Sequence, residues 1–121
     1  MSMPRADAES REIFESVLPD YPRVRSRQMF GNVAGFVNGN MFMGLHGSAL
    51  FVRLPEEDRA ELLEEDGASV FEPMKGRPMK EYVLVPAAWR REPEKTGGWV
   101  SRSLEWVGTM PEKKPRKKRS R

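Results

Sequence analysis

Between residues 24 and 54 the chain reads VRSRQMFGNVAGFVNGNMFMGLHGSALFVRL, in which apolar side chains recur at alternating positions between turn signals. The pair Asn38 and Gly39 is the strongest of these signals, because both residue types tolerate the positive φ that a type I′ hairpin turn requires. The pair His46 and Gly47 predicts a second turn. Two such reversals predict an antiparallel meander of three strands.

Two-residue loops at both places fix the predicted register of the meander. The predicted cross-strand pairs are Phe36 with Met41, Ala34 with Met43, Met43 with Leu50, and Met41 with Val52. One face then carries a nearly continuous apolar set, which we expect to form the core: Phe36, Met41, Met43, Leu45, Leu50, Val52 and Leu54. Since a slip of one residue would move such a set to the other face, the hydrophobic pattern should specify the register strongly.

Periodic apolar positions predict three helices around this meander, over residues 7–18, 56–66 and about 99–107. Short strands are predicted at residues 70–71 and 81–85, after the second helix. Strands joined by tight turns pair antiparallel, and three helices suffice to cover one face of a sheet. The predicted fold class is therefore α+β: a two-layer sandwich whose antiparallel sheet, the meander plus one or two later strands, is covered on one face by about three helices.

Composition narrows the classes of function. A chain of 121 residues has room for one ordinary domain, and the absence of cysteine excludes disulfides, thiolate zinc sites and cysteine nucleophiles. His46 is the one histidine, in a predicted turn and without the pattern of a catalytic triad. No apolar run is long enough for a membrane span, and the first residues lack the apolar core of a secretory signal. We expect a cytoplasmic protein without a membrane partner, a metal or a cofactor.

The charge is divided between a mildly acidic body and a basic end. Residues 112–121 hold seven bases and one acid, whereas the other 111 residues hold 14 bases and 17 acids. We predict a domain over residues 1–110 and a disordered basic tail over residues 111–121, because so charged a segment cannot offset its ordering entropy. The tail either contacts phosphates of DNA or RNA non-specifically or keeps the domain soluble. Its candidate phosphate contacts are Lys113, Lys114, Arg116, Lys117, Lys118, Arg119 and Arg121.

The face of the meander opposite the predicted core is less polar than a solvated face. The predicted register places Phe42 across from Phe51, with Val37 nearby. These three residues are candidates for a self-association patch, and hence for a homodimer. An ordinary cross-strand aromatic pair in water is the alternative.

Two further groups of basic residues are candidates for anion binding. Lys75 and Arg77 lie in a loop before the late strand, where they either bind an anion or belong to a rigid turn. Arg23, Arg25 and Arg27 alternate before and along a predicted strand. Such a row can hold phosphates, but it is more often the solvated side of an edge strand, where charge discourages aggregation.

The chain resembles the N-terminal domain of the TfoX/Sxy competence-regulator family over roughly residues 10–108. The resemblance begins at Met29-Phe30-Gly31 and continues through the Asn38–Gly39 turn. It extends over Leu50-Phe51-Val52-Arg53-Leu54, the Gly76-Arg77-Pro78 loop, Tyr82 and the last Trp-containing helix. It implies a two-layer domain with an antiparallel sheet, in a bacterial or archaeal intracellular protein.

For function the resemblance implies less. Full-length regulators of this family carry a second, helical domain and are associated with transcriptional activation of DNA-uptake genes. Here we expect a single-domain member with a short basic tail in that place. No catalytic motif of the family transfers to these positions. The hypothesis is a non-enzymatic regulatory or interaction module with weak, non-specific nucleic-acid binding through the tail, and with an unidentified protein partner. The alternative is a small-ligand-binding domain or an unrecognised enzyme that uses the loop of Lys75 and Arg77.

Overall fold

The computed structural model describes residues 5–29 and 31–113. The α-helices are α1 (Ala8–Val17), α2 (Glu56–Leu63) and α3 (Pro93–Val107), with a short 3₁₀ helix at Ala87–Arg91 before α3. The strands are β1 (Val24–Met29), β2 (Asn32–Val37), β3 (Asn40–His46), β4 (Ala49–Arg53), β5 (Ser69–Val70) and β6 (Tyr82–Leu84). They form one sheet in the order β1-β2-β3-β4-β6-β5 with antiparallel neighbours, which confirms the α+β class. Among the described residues, no helix is both long and apolar enough to cross a bilayer.

The starts of α1 and α3 have different local causes. In α1 the side chain of Asp7 caps the first turn, with Oδ1 accepting the Ser10 amide at 2.8 Å, and this backbone hydrogen bond lowers the pKa of the Asp7 carboxyl. Helix α3 begins at Pro93, six residues before the predicted start. Gly97 and Gly98 lie inside it despite their low helix propensity, because Pro93 pre-sets the first turn and buried Thr96 anchors the next one.

The first hairpin follows the prediction. Asn38 and Gly39 both have positive φ, 52° and 80°, as a type I′ turn requires, and Phe36 pairs with Met41. Two residues later the prediction fails. Gly35 pairs with Met43, so the predicted pair of Ala34 with Met43 is wrong.

The cause is a β-bulge in β3. The register shifts between Gly35 and Phe36, which leaves Phe42 as an extra residue between Met41 and Met43. An extra residue reverses the side that later side chains face. Met43 therefore packs in the helix-side core, whereas Met41 packs on the other face. The predicted placement of Met41 in the core set is wrong, and so is that of its partner Phe36, which is not part of the helix-side core.

The second hairpin turns one residue later than predicted. Its turn residues are Gly47 and Ser48, and the amide of Gly47 donates to the buried Asn32 side chain at 2.8 Å. The predicted partners of Leu50 and Val52 are therefore wrong. The observed pairs are Leu45 with Leu50 and Met43 with Val52. Moving a turn by one residue changes each partner by two positions, so every side chain keeps its face.

The two faces of the sheet carry separate apolar clusters. Phe14, Leu62 and Val100 of the three helices pack with Met43 and Val52 of the sheet in the main core. On the outer face, which we define as the face away from the helices, a smaller cluster is built on Phe51, Phe71 and Tyr82. Helices thus cover one face of the sheet, as predicted, and the chain around Phe71 covers part of the other.

Helix α3 is tied to the bulge by one buried hydrogen bond. The hydroxyl of Ser103, which is fully buried, donates to the carbonyl oxygen of Phe42 at 2.6 Å. A backbone oxygen in this place has no access to water, so its donor contributes to the stability of the fold.

We expect Ser103→Ala to lower the free energy of unfolding by about 1–3 kcal/mol, the usual cost of a buried acceptor that loses its donor. Ser101→Ala is the matched control, because Ser101 lies two residues away on the same helix, is exposed, and gains the same helix propensity from alanine. Urea unfolding followed by circular dichroism measures both. Equal stabilities of the two variants would show that the hydrogen bond from Ser103 to the Phe42 carbonyl does not stabilise the fold.

Candidate nucleic-acid interface

A row of arginines lies along the free edge of the sheet. Strand β1 is an end strand of the sheet, and only its first residue, Val24, is buried. Arg25 and Arg27 occupy alternate positions after Val24, and their Cα atoms lie about 7 Å apart along the strand. Arg23 directly precedes the strand. Because the side chain of Val24 enters the helix-side core, Arg25 and Arg27 project from the outer face.

Each arginine of this edge row, which we define as Arg23, Arg25 and Arg27, is held by neutral groups. Arg23 donates to the side-chain oxygen of Asn38 at 3.3 Å, and Arg25 donates to the carbonyl oxygens of Pro22 and Val24. The guanidinium of Arg27 lies 5.2 Å from the centre of the Phe36 ring. In the described part of the chain none of the three forms an ion pair. Within the described residues, no acidic side chain therefore neutralises these three charges.

The start of the basic tail is bound beside this row. After α3 the chain crosses the β2–β3 turn, where the amide of Lys113 donates to the carbonyl oxygen of Asn38 at 2.8 Å. The side chain of Asn40 donates to the carbonyl oxygen of Pro111 at 3.0 Å, and that of Asn38 donates to Gly108 at 3.3 Å. The residues predicted to begin the tail, 111–113, thus have defined partners in the body.

Gly39 makes this crossing sterically feasible. Its φ of 80° is one that side-chain-bearing residues rarely adopt, and a methyl group there would overlap the carbonyl oxygen of Lys113. The other predicted tail bases, Lys114, Arg116, Lys117, Lys118, Arg119 and Arg121, lie outside the described residues.

The structure contradicts the predicted composition of the self-association patch. Phe42 and Val37 are 0% and 1% exposed and pack in the helix-side core, because the bulge turns Phe42 towards the helices. Phe51 does lie on the outer face, but it pairs with Gly44 instead of Phe42, and it is covered by the Phe71 ring at 4.3 Å. Self-association itself stays a prediction. A substitution of Phe42 would report on folding and not on an interface.

The outer face carries an apolar groove of about 270 Å³. Met29, Met41 and Met79 line it together with Phe51, and the neighbouring phenol of Tyr82 has its pKa raised by burial. His46 also lines it, with its ring 5.4 Å from that of Phe71. Its Nε2 is buried and has no hydrogen-bond partner among the described residues.

The second predicted anion site is an exposed turn. Lys75 and Arg77 flank Gly76, whose amide donates to a carboxylate oxygen of Glu72, and the amide of Arg77 donates to the carbonyl oxygen of Met74 at 2.8 Å. The acidic side chain is thus built into the same turn as the two bases. This geometry fits the rigid-turn interpretation, while anion binding at these residues stays a prediction.

The acidic surface of α2 is partly used inside the domain. Arg102 of α3 lies 3.0 Å from Glu61 and 3.5 Å from Asp58, and the hydrogen bond that it donates to Glu61 raises the pKa of Arg102. In the described residues no group of three or more histidine or acidic side chains is arranged to hold a metal ion.

Sequence reasoning missed the residues that join the tail to the sheet edge. Asn38 was recognised only as a turn former, and Asn40 was not singled out. Their side-chain contacts with Gly108 and Pro111 span about seventy positions in sequence. No local pattern encodes such a contact.

A family model described as the TfoX N-terminal domain matches residues 5–106. The match covers nearly all of the described helices and strands and confirms the resemblance drawn from the sequence. No curated protein matches the chain.

We expect Gly39→Ala to release residues 111–113 from the β2–β3 turn and to destabilise the domain by roughly 1–2 kcal/mol or more. Gly76→Ala is the matched control, since its φ is also 80° but nothing lies within 4 Å of the added methyl group. Amide hydrogen exchange at Lys113 separates the two effects: exchange should accelerate only in Gly39→Ala. Equal protection of Lys113 in both variants would contradict the docking of this segment.

Proposed function

This chain belongs to the TfoX N-terminal domain family, which supports a regulatory or interaction module of that type, and we propose that the module binds nucleic acids weakly and non-specifically through its basic tail and edge row. The family is not a known enzyme family. The proposal is accordingly non-enzymatic, with the phosphate backbone as the recognised group.

One observation carries the proposal: Asn38 contacts both basic elements. Its side-chain oxygen accepts from Arg23, and its backbone oxygen accepts from Lys113. Lys113, the first base of the tail, therefore lies at the end of the edge row, and in this proposal the tail and the edge row act as one basic surface. The bases of residues 113–121 and the three arginines together supply ten positive charges.

The charge distribution supports phosphate as the ligand. Outside residues 112–121 the chain is net acidic, with 17 acids and 14 bases, so general attraction of polyanions by the body is weak. The edge row places three exposed guanidinium groups at alternating positions along one edge of the sheet, and none of them has an ion pair among the described residues. Arginine donors in a regular row suit phosphate oxygens, and binding releases the counterions condensed on the nucleic acid.

The same features argue for low specificity. Contacts to phosphates carry no sequence information, and reading a base sequence in a duplex needs a helix or ribbon that enters a groove. An edge row with an attached polybasic segment has no such reading element. We expect dissociation constants in the non-specific range, about 10⁻⁴ to 10⁻⁶ M at physiological salt.

The test is the salt dependence of duplex binding, measured by fluorescence anisotropy with the full chain. The edge-row variant carries Arg23→Gln, Arg25→Gln and Arg27→Gln, and its control carries Lys75→Gln, Arg77→Gln and Lys80→Gln. Both lower the formal net charge from +3 to zero. The slope of log K against log[salt] should become shallower by about one for each lost phosphate contact, hence by about three in the edge-row variant alone.

A third variant replaces Lys114, Arg116, Lys117, Lys118, Arg119 and Arg121 by glutamine, which retains the length of the chain. It should lose most of the measured affinity. Unchanged duplex binding by this variant would refute the proposed role of the tail. If the Lys75, Arg77 and Lys80 control weakened binding as much as the edge-row variant, the position of the charges would be irrelevant and the proposed surface would be wrong.

A further inference from the structure

A cleft of about 490 Å³ opens next to the basic surface, between the residues before β1 and the C-terminal half of α3. Its floor includes Val37 and Leu104, and its rim includes Arg23, Ser101 and Glu105. The volume lies within the range of small-ligand sites. An apolar floor with a polar rim suits a flat, largely apolar ring that carries polar groups on its edges.

Tyr21 forms one wall of this cleft and is the most exposed aromatic side chain of the described residues, at 51%. Its backbone is fixed, since its carbonyl oxygen accepts the amide of Val24 at 2.9 Å and Pro22 follows it directly. The ring makes no stacking contact and its hydroxyl no hydrogen bond within the described part of the chain. A positioned aromatic ring is therefore available to a ligand.

The charges around the cleft assign an orientation to the ligand. Arg23 offers a cation on the side that adjoins Asn38 and the start of the tail. Arg102 also lines the cleft, but Glu61 and Asp58 neutralise it. Glu105 repels a phosphate on the helix side, while its carboxylate can accept from an amino or ring N–H group. A ligand would thus place its phosphate at Arg23 and the polar edge of its ring towards Glu105.

We infer that this cleft binds one unpaired nucleobase, stacked on Tyr21, with its phosphate at Arg23, so that the module prefers single-stranded to double-stranded nucleic acid. The inference rests on the proposed function and names its substrate class. In a duplex the faces of the bases are covered by their neighbours, whereas a single strand can place a base on an aromatic ring. The tail and edge row would hold both kinds of strand by their phosphates.

The test compares binding of a thymidylate dodecamer and of a duplex of twelve base pairs, at one ionic strength, by fluorescence anisotropy of the full chain. Alanine substitution of a stacking residue typically weakens binding by about fivefold to 150-fold. Tyr21→Ala should weaken binding of the single strand by at least about fivefold and leave duplex binding within about twofold. Tyr21→Phe retains the ring and should bind both as the parent does.

A direct measurement complements the variants. The ring protons of Tyr21 should shift upfield in NMR spectra on addition of the dodecamer, while those of buried Tyr82 should not. The inference would be overturned if Tyr21→Ala weakened the binding of both ligands equally or of neither. It would also be overturned if the ring protons of Tyr21 did not shift. Failure of the proposed function is distinguishable, because the glutamine-tail variant would then bind both ligands as tightly as the parent.

Discussion

The extra residue in β3 is the constraint on which the two faces of this domain depend. Phe42 interrupts the alternation of the strand, so Met43 and Leu45 face the helices although they lie two and four residues after Met41, which faces the other side. The hydroxyl of Ser103 holds the carbonyl oxygen of Phe42 and couples the interruption to α3. Without the bulge, Met43 and Leu45 could not face the helices while Phe36 keeps its pairing with Met41.

The β2–β3 turn then acts as a junction for distant parts of the chain. Asn38 binds the arginine that begins the edge row, the end of α3 at Gly108, and the backbone of Lys113. Gly39 leaves the space in which this last segment lies. The β2–β3 turn thereby fixes the position of Lys113, the first base of the tail, on the domain surface.

The exposed arginines of the edge strand β1 can both protect the domain against aggregation and bind phosphates. Exposed arginines on β1 discourage pairing with the edge of another sheet, which protects a small domain against aggregation. The same guanidinium groups form a row beside the start of the polybasic segment and next to the cleft of Tyr21. The sequence-based preference for a solvated edge strand and the phosphate-binding proposal are therefore compatible, since an unpaired edge is also an accessible one.

The sequence by itself determined the features that depend on neighbouring residues. The type I′ turn follows from the φ preferences of Asn38 and Gly39, the existence of the three helices follows from their apolar periodicity, and the division of charge follows from composition. The helix-facing side of Leu50 and Val52 was also predictable, because an error of one residue in the turn at Gly47 preserves the side that each residue faces. Only the tertiary structure decided that Phe42 is inserted in β3, that Val37 and Phe42 are buried, and that Asn38 joins Arg23 to Lys113. These outcomes depend on contacts between residues far apart in the chain, such as that of Ser103 with Phe42, and the energies of such contacts have no counterpart in a local sequence pattern.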